Sequence, residues 1–393
     1  MSSPHHRHQA SLEGLLDFSP RSSLTLAERA AARHTLLRVA QYFENLDDAR
    51  GGISRGVAYS QPRLIRYTFE YALSDESRDI FLRAFFSALA LSIGEKNEQL
   101  DFAELQPLFR AFAEYLMDHF FLPLKASTRR TPQPSPAYHS AVLRAQGTEP
   151  TVFVGTPDRL SALRGACLVR DRHRCVISRA FSTTAFFSRS KKDGDNAQDD
   201  DGVLFSQLDM RQVDRLEVAH ILPHALTKSS TGPRGGDLDK SREAALAILN
   251  MFDSGVAHLI NGVDVDRPRN ALTLSSRYHD FFGAFEIYFD AVPGEYNTYQ
   301  IQSFFPSPMA RALGLPVTRT LFVTENRTID PPSPRLLAVH RAIAHILHMS
   351  GAGEYIDRVL EDMEDSVVRS NGTSELGRMV SLGLGDWICY PVS

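Results

Sequence analysis

Three side chains in this sequence have the types and the order needed to move a proton and hold a cation. His220 closes the apolar run Leu216-Glu217-Val218-Ala219-His220-Ile221-Leu222-Pro223, and Asn270 and His279 lie nine residues apart in Arg269-Asn270-Ala271-Leu272-Thr273-Leu274-Ser275-Ser276-Arg277-Tyr278-His279. An imidazole with an ordinary pKa of about 6.5 is largely neutral near pH 7 and can take a proton from water. It has to be aimed, and the amide of Asn270 can do this by bonding to neighbouring backbone or to the ring. His279 can present a neutral nitrogen to a metal ion. An activated water, a cation to offset developing charge and a frame for both are what hydrolysis of a phosphodiester requires.

The pattern around these residues predicts what must position them. Arg215–Ile221 and Ala271–Leu274 have the β-branched and aliphatic content of short strands. A helix from Ser276 to about Phe289, opened by serines able to cap it, would carry His279. Strands are also predicted at Ala166–Leu168 and Arg174–Ile177, a surface loop over Ser188–Gly202, and a second loop over Lys228–Asp239 leading into a helix from Ser241 to Phe252. Apolar residues at three-to-four spacing predict N-terminal helices over Leu26–Leu46, Ser77–Ile93 and Phe102–Phe121, and a long helix over Arg335–Ser350 that Gly351–Gly353 interrupts. Tyr299–Phe305 and Thr318–Thr324 read as edge strands or a hairpin.

A chain of 393 residues with 43% hydrophobic and 23% charged residues can bury large cores and excludes global disorder. No apolar run approaches the roughly 20 residues of a membrane span, and the His- and Ser-rich start lacks the apolar segment of a secretory signal, so an intracellular, cytoplasmic or nuclear protein is expected. Cys167, Cys175 and Cys389 form no CxxC pair, which disfavours disulfides and a four-cysteine zinc site and leaves Cys175 as a core residue. The net charge of −4 conceals a basic stretch, Arg164 to Lys192, with eight basic side chains against one acidic. Within it Arg170, Arg172, Arg174, Lys191 and Lys192 are candidates for contact with a nucleic-acid backbone, against the alternative of a charged surface neutralised by Asp199–Asp201.

The stretch from about Cys167 to Phe289 resembles an HNH endonuclease domain of the variety recurring in fungal proteins. The likeness rests on Cys167-Leu168-Val169-Arg170-Asp171-Arg172-His173-Arg174-Cys175-Val176-Ile177-Ser178, on Glu217-Val218-Ala219-His220-Ile221-Leu222-Pro223, on Asn250-Met251-Phe252-Asp253 and on Asn270-Ala271-Leu272-Thr273-Leu274. It implies an α+β protein in which a ββα-metal core with an inserted helix sits between helical N- and C-terminal regions. It also implies a divalent-metal endonuclease acting on DNA in preference to RNA, with His220 as general base, Asn270 as its support and His279 as a metal ligand. Two ligand positions usual in the family hold Ala219 and Gly283 instead. Glu217 is the replacement ligand expected, because strand alternation puts it on the face of Ala219 and its carboxylate suits Mg²⁺ or Mn²⁺. The same two departures keep a second reading open, a scaffold that retains the shape without cutting.

On this basis 1–24 is expected to be a frayed tail, 25–123 a helical domain, 124–158 a Pro-rich linker, 159–291 the HNH-like domain, and 292–393 a strand pair with helices. The helical flanks permit a homo-oligomer or a sensor that gates the nuclease. His224, four residues after His220 and past a proline, reads as a solvated loop histidine that can otherwise reach phosphate or metal. His340, His345 and His348 belong to an amphipathic packing pattern, and His5, His6 and His8 to the tail.

Overall fold

The computed structural model describes residues 23–49, 58–94, 99–128, 156–226, 235–325 and 328–364, together with Leu16, Arg378 and Leu382. Most of the expected tail, 129–155 of the expected linker, 228–234 of the second loop, Trp387 and Cys389 lie outside the described residues. Two compact units are present, and neither is continuous in sequence: one gathers Met1–Ser127, Lys228–Leu259 and Ala342–Ile388, the other Thr128–Thr227, Ile260–Arg341 and Cys389–Ser393.

The first unit is helical among its described residues. Helices Leu26–Ala49, Gln61–Glu70, Asp75–Ala88 and Phe102–Leu116 follow one another, the last running through a π turn at Met117–Phe121 into Leu122–Thr128. The starts of Gln61–Glu70, Asp75–Ala88 and Phe102–Leu116 are set by Ser60, Ser74 and Asp101, whose side chains accept first-turn backbone N–H groups. Leu36, Val39, Ala40 and Phe43 lie on the buried face that their spacing predicts, and Phe43 meets Phe109 at 4.7 Å between ring centroids. Helix Gly235–Leu249, although inserted in sequence between the strands of the other unit, counts here, and Phe252 after it stacks on Phe120.

The second unit contains all the described strands: β1 (Phe181–Ser182), β2 (Val213–Asp214), β3 (Leu216–His220), β4 (Ala271–Ser275), β5 (Ile287–Ala291), β6 (Thr298–Ser303) and β7 (Val317–Thr320). β1 and β2 pair in parallel, β3 and β4 are antiparallel with His220 opposite Ala271 and Glu217 opposite Leu274, and β5, β6 and β7 form an antiparallel sheet. Helix Thr156–Arg170 packs Leu163 and Cys167 against Val218 and Ala271. Helix Ser276–Gly283 follows β4 without a loop. It is held from outside by His340, whose ring stacks on Phe282 at 3.9 Å and whose Nε2–H donates to the Phe282 carbonyl at 3.0 Å. Burial in that aromatic slot pushes the His340 pKa down to about 3.

Several local expectations change. Ala166–Leu168 is helical, because Leu163, Cys167 and Arg170 at helical spacing face the sheet and its edge. The run Arg174–Ile177 supplies only a bridge from Arg174 to Phe181, since Arg172, His173 and Arg179 adopt left-handed φ of 52°, 52° and 63° and interrupt any extended run. The segment Ser188–Gly202, expected as a loop, begins as the end of helix Thr183–Asp193 and continues through a 3-10 turn. The helix from Ser276 stops at Gly283, where Phe285 turns at φ 62° and the following residues pair with β6. Cys167 and Cys175 are free thiols in the interior.

Candidate active site

Asn270 sets the geometry of the site. It is fully buried, and each of its amide bonds goes to backbone: Oδ1 accepts the Leu222 N–H at 3.0 Å, and Nδ2 donates to the carbonyls of Leu222 at 2.9 Å and Val265 at 3.0 Å. The Asn270 carbonyl accepts the Ile221 N–H at 2.8 Å, which extends the β3–β4 ladder past His220. One amide therefore ties the chain after His220 to the 3-10 turn Gly262–Asp266. Asn270 aims His220 through backbone and does not touch its ring.

His220 is 7% exposed. Its Nε2 lies 3.2 Å from Oδ1 of Asp266, and Nδ1 of His224 reaches the same oxygen at 2.9 Å. Asp266 is itself buried, and Arg159 Nε stands 3.3 Å from its other oxygen. Burial alone would raise the Asp266 pKa, but the hydrogen bonds and charge interactions with His220 and His224 together outweigh it and hold the carboxyl well below the usual carboxylate range. An ionised carboxylate only accepts, so His220 Nε2 and His224 Nδ1 carry the protons. Burial pushes the His220 pKa below its ordinary value against the opposing pull of Asp266, which leaves the ring neutral at pH 7. Its Nδ1 is buried and has no hydrogen-bond partner.

A second carboxylate–histidine pair connects β3 to the helix after β4. His279 Nδ1 donates to Glu217 Oε2 at 2.7 Å, Ser276 Oγ donates to Glu217 Oε1 at 3.0 Å, and Arg215 Nε lies 3.6 Å from that oxygen. The His279 hydrogen bond is the main reason that the Glu217 pKa is lowered. Of the sequence-predicted residues, His279 and Glu217 are thus joined directly and His220 is paired elsewhere. His279 is near enough that a charge on it would depress the His220 pKa further.

Among the described residues, the group of His, Cys, Asp or Glu able to gather on a metal is His220, His224 and Asp266, with one ligand atom from each lying within 4.8 Å of the others. Sequence reasoning missed Asp266. It sits four residues before Asn270 in an acidic, Pro-containing turn, where an aspartate is ordinary turn chemistry, and its partners are 42 and 46 residues away. His224 is bonded to that carboxylate and is not simply solvated.

The basic stretch divides. Arg170, expected to contact phosphate, is 1% exposed: it forms a two-pronged ion pair with Asp171 and donates to the carbonyls of Pro268, Ala271 and Asp330. It staples the turn before β4 from inside and cannot reach a ligand without unfolding that turn. Arg172 pairs with Asp201, Arg174 with Asp199, and Arg189 with Asp200, so these aspartates neutralise that part of the surface. Lys191 and Lys192, in the last turn of helix Thr183–Asp193, are exposed.

No helix among the described residues is long and apolar enough to cross a membrane. No curated protein and no solved structure matches this chain. Residues 175–290, which contain β3, β4, the helix bearing His279 and both carboxylate–histidine pairs, match the family model of the HNH endonucleases.

Proposed function

We propose that this domain is a divalent-metal-dependent endonuclease of the HNH type, built on a ββα-metal core and hydrolysing phosphodiester bonds in DNA in preference to RNA. The observation that carries the reading is a neutral, buried His220 at one end of β3 while Glu217, at the other end, holds His279 on the helix after β4. His220 takes a proton from water as the water oxygen bonds to phosphorus. The bond from phosphorus to the 3′-oxygen breaks, and that oxygen leaves with a proton from solvent.

His279 and Glu217 fit a hard or borderline divalent cation, since they set an imidazole beside a carboxylate that is charged at neutral pH. His279 would hold Mg²⁺ or Mn²⁺ through Nε2 while Glu217 braces its Nδ1, with water and phosphate oxygens completing the shell, and the ion would offset charge on the phosphate and the departing oxygen. The grouping of His220, His224 and Asp266 is less suited to that role. Ligating histidines are as a rule braced through their second nitrogen, and the second nitrogen of His220 has no partner.

Lys191 and Lys192 are the exposed phosphate contacts of this reading, and Arg172 and Arg174 join them only where phosphate competes with Asp199 and Asp201. The test is nicking of supercoiled plasmid by the purified full chain with Mg²⁺ or Mn²⁺. Cleavage that chelator and His220→Ala both abolish is the expected result. A chain that binds DNA without nicking it under any divalent ion would instead be the scaffold that Ala219 and Gly283 allow.

A further inference from the structure

We infer that Asp266 is the positioning residue of His220: it fixes the imidazole in the tautomer that carries its proton on Nε2 and leaves the buried Nδ1 as the unprotonated nitrogen, which accepts the proton of the attacking water once substrate binding uncovers it. The inference rests on His220 being the base of the proposed nuclease and adds what makes it one.

Asp266 is placed for this by the same amide that aims His220. Asn270 Nδ2 bonds the Leu222 carbonyl, two residues after His220, and the Val265 carbonyl, one residue before Asp266. The separation of the two side chains is therefore set by a single rigid bracket. Asp266 cannot swing away, because His224 occupies the same oxygen at 2.9 Å and Arg159 Nε faces the other oxygen at 3.3 Å. The Asp266 side chain is 1% exposed, so water does not compete for it.

Nothing else decides the tautomer. His220 Nδ1 has no hydrogen-bond partner, and the two neutral imidazole forms are otherwise close in energy. The groups that act on the ring are Asp266, which raises its basicity, and His224 and His279, whose charged forms would lower it. When the water proton reaches Nδ1, the ring becomes an imidazolium flanked by a carboxylate. Its Nε2–H stays on the ring, bonded to Asp266, until the Nδ1 proton is returned to solvent.

The experiment compares wild type, Asp266→Asn, Asp266→Glu, His224→Ala and His220→Ala by plasmid nicking from pH 5.5 to 9, by Mn²⁺ titration, and by ¹⁵N spectra of the histidine side chains. An amide behind the ring can stabilise the wrong tautomer, so Asp266→Asn is expected to lower kcat by about 10²–10⁴-fold with KM for DNA within about twofold. The acidic limb of its pH profile moves to lower pH, and Asp266→Glu recovers part of the rate. In the wild type, the resonance that His220→Ala removes shows an unprotonated Nδ1; in Asp266→Asn it shifts toward the other tautomer or a mixture. An unchanged pH profile and tautomer in Asp266→Asn would overturn the inference. Loss of Mn²⁺ binding in both Asp266→Asn and His224→Ala would overturn it in favour of a metal site. If Asp266→Asn does not fold, the wild-type tautomer and the Asp266→Glu pH profile decide the matter. Cleavage by His220→Ala would instead remove the underlying reading whatever Asp266 does.

Discussion

Glu217 on β3 and His279 on helix Ser276–Gly283 are bonded at 2.7 Å across 62 residues of sequence. The Glu217 carboxylate turns the His279 ring so that its proton is on Nδ1 and Nε2 remains for a ligand. The Glu217 pKa is depressed on folding, so the pair's stabilisation is complete above the unfolded value of about 4.5 and is lost as pH falls through the lower folded value. Glu217→Gln is therefore expected to be less stable than wild type at pH 7, with the gap closing as pH drops below about 4.5 in denaturant titrations. Mn²⁺ affinity, read by titration, falls by about 10–100-fold.

Asn270 makes three buried bonds to backbone, and nothing in its surroundings can replace them. Asn270→Ala leaves two carbonyls and an N–H unmatched and is expected to cost about 2–4 kcal/mol in urea unfolding. Nicking is lost along with the loop geometry even where the variant stays folded. Full activity at wild-type stability would show that the bracket is dispensable.

Gly283, one helical turn after His279, has no room for a side chain. A Cβ at this position would meet the Thr128 carbonyl oxygen at 3.0 Å, and Thr128 Oγ1 already donates to the Gly283 carbonyl at 2.5 Å. Gly283→Ala is expected to destabilise by about 1–3 kcal/mol, because backbone must yield. Gly283→His, which would place a histidine one turn after His279, is expected to gain no metal affinity and to lower the Tm.

Arg170 and the two lysines should separate cleanly. Arg170→Met strands Asp171 without its partner in the interior and is expected to cost about 3–5 kcal/mol, seen in thermal or urea unfolding. Lys191→Ala and Lys192→Ala should leave stability unchanged and weaken DNA binding. Removing one lysine–phosphate interaction should reduce the slope of log affinity against log salt by about 0.9.

The strands β3 and β4 and the helix Pro334–Ser350 were legible because periodicity reports burial: Leu216–His220, Ala271–Ser275 and Pro334–Ser350 lie within a residue or two of where their apolar spacing puts them. The segment 172–179 was not, since positive φ at Arg172, His173 and Arg179 is set by tertiary packing and leaves no glycine to mark it. Charge pattern misled at Arg170, where one sequence neighbour, Asp171, lets a guanidinium be buried. His220, Asn270 and His279 stood out as residue types in order, whereas Asp266 acquires its meaning only when the chain folds His220 and His224 onto it.

The central claim is that His220 is the base of a metal-dependent phosphodiesterase. Its most direct test is the rate of Mg²⁺- or Mn²⁺-dependent plasmid nicking by His220→Ala, with circular dichroism and Tm establishing that the variant is folded. The account predicts no nicking above the metal-only background. Nicking at the wild-type rate by a folded His220→Ala protein would contradict it.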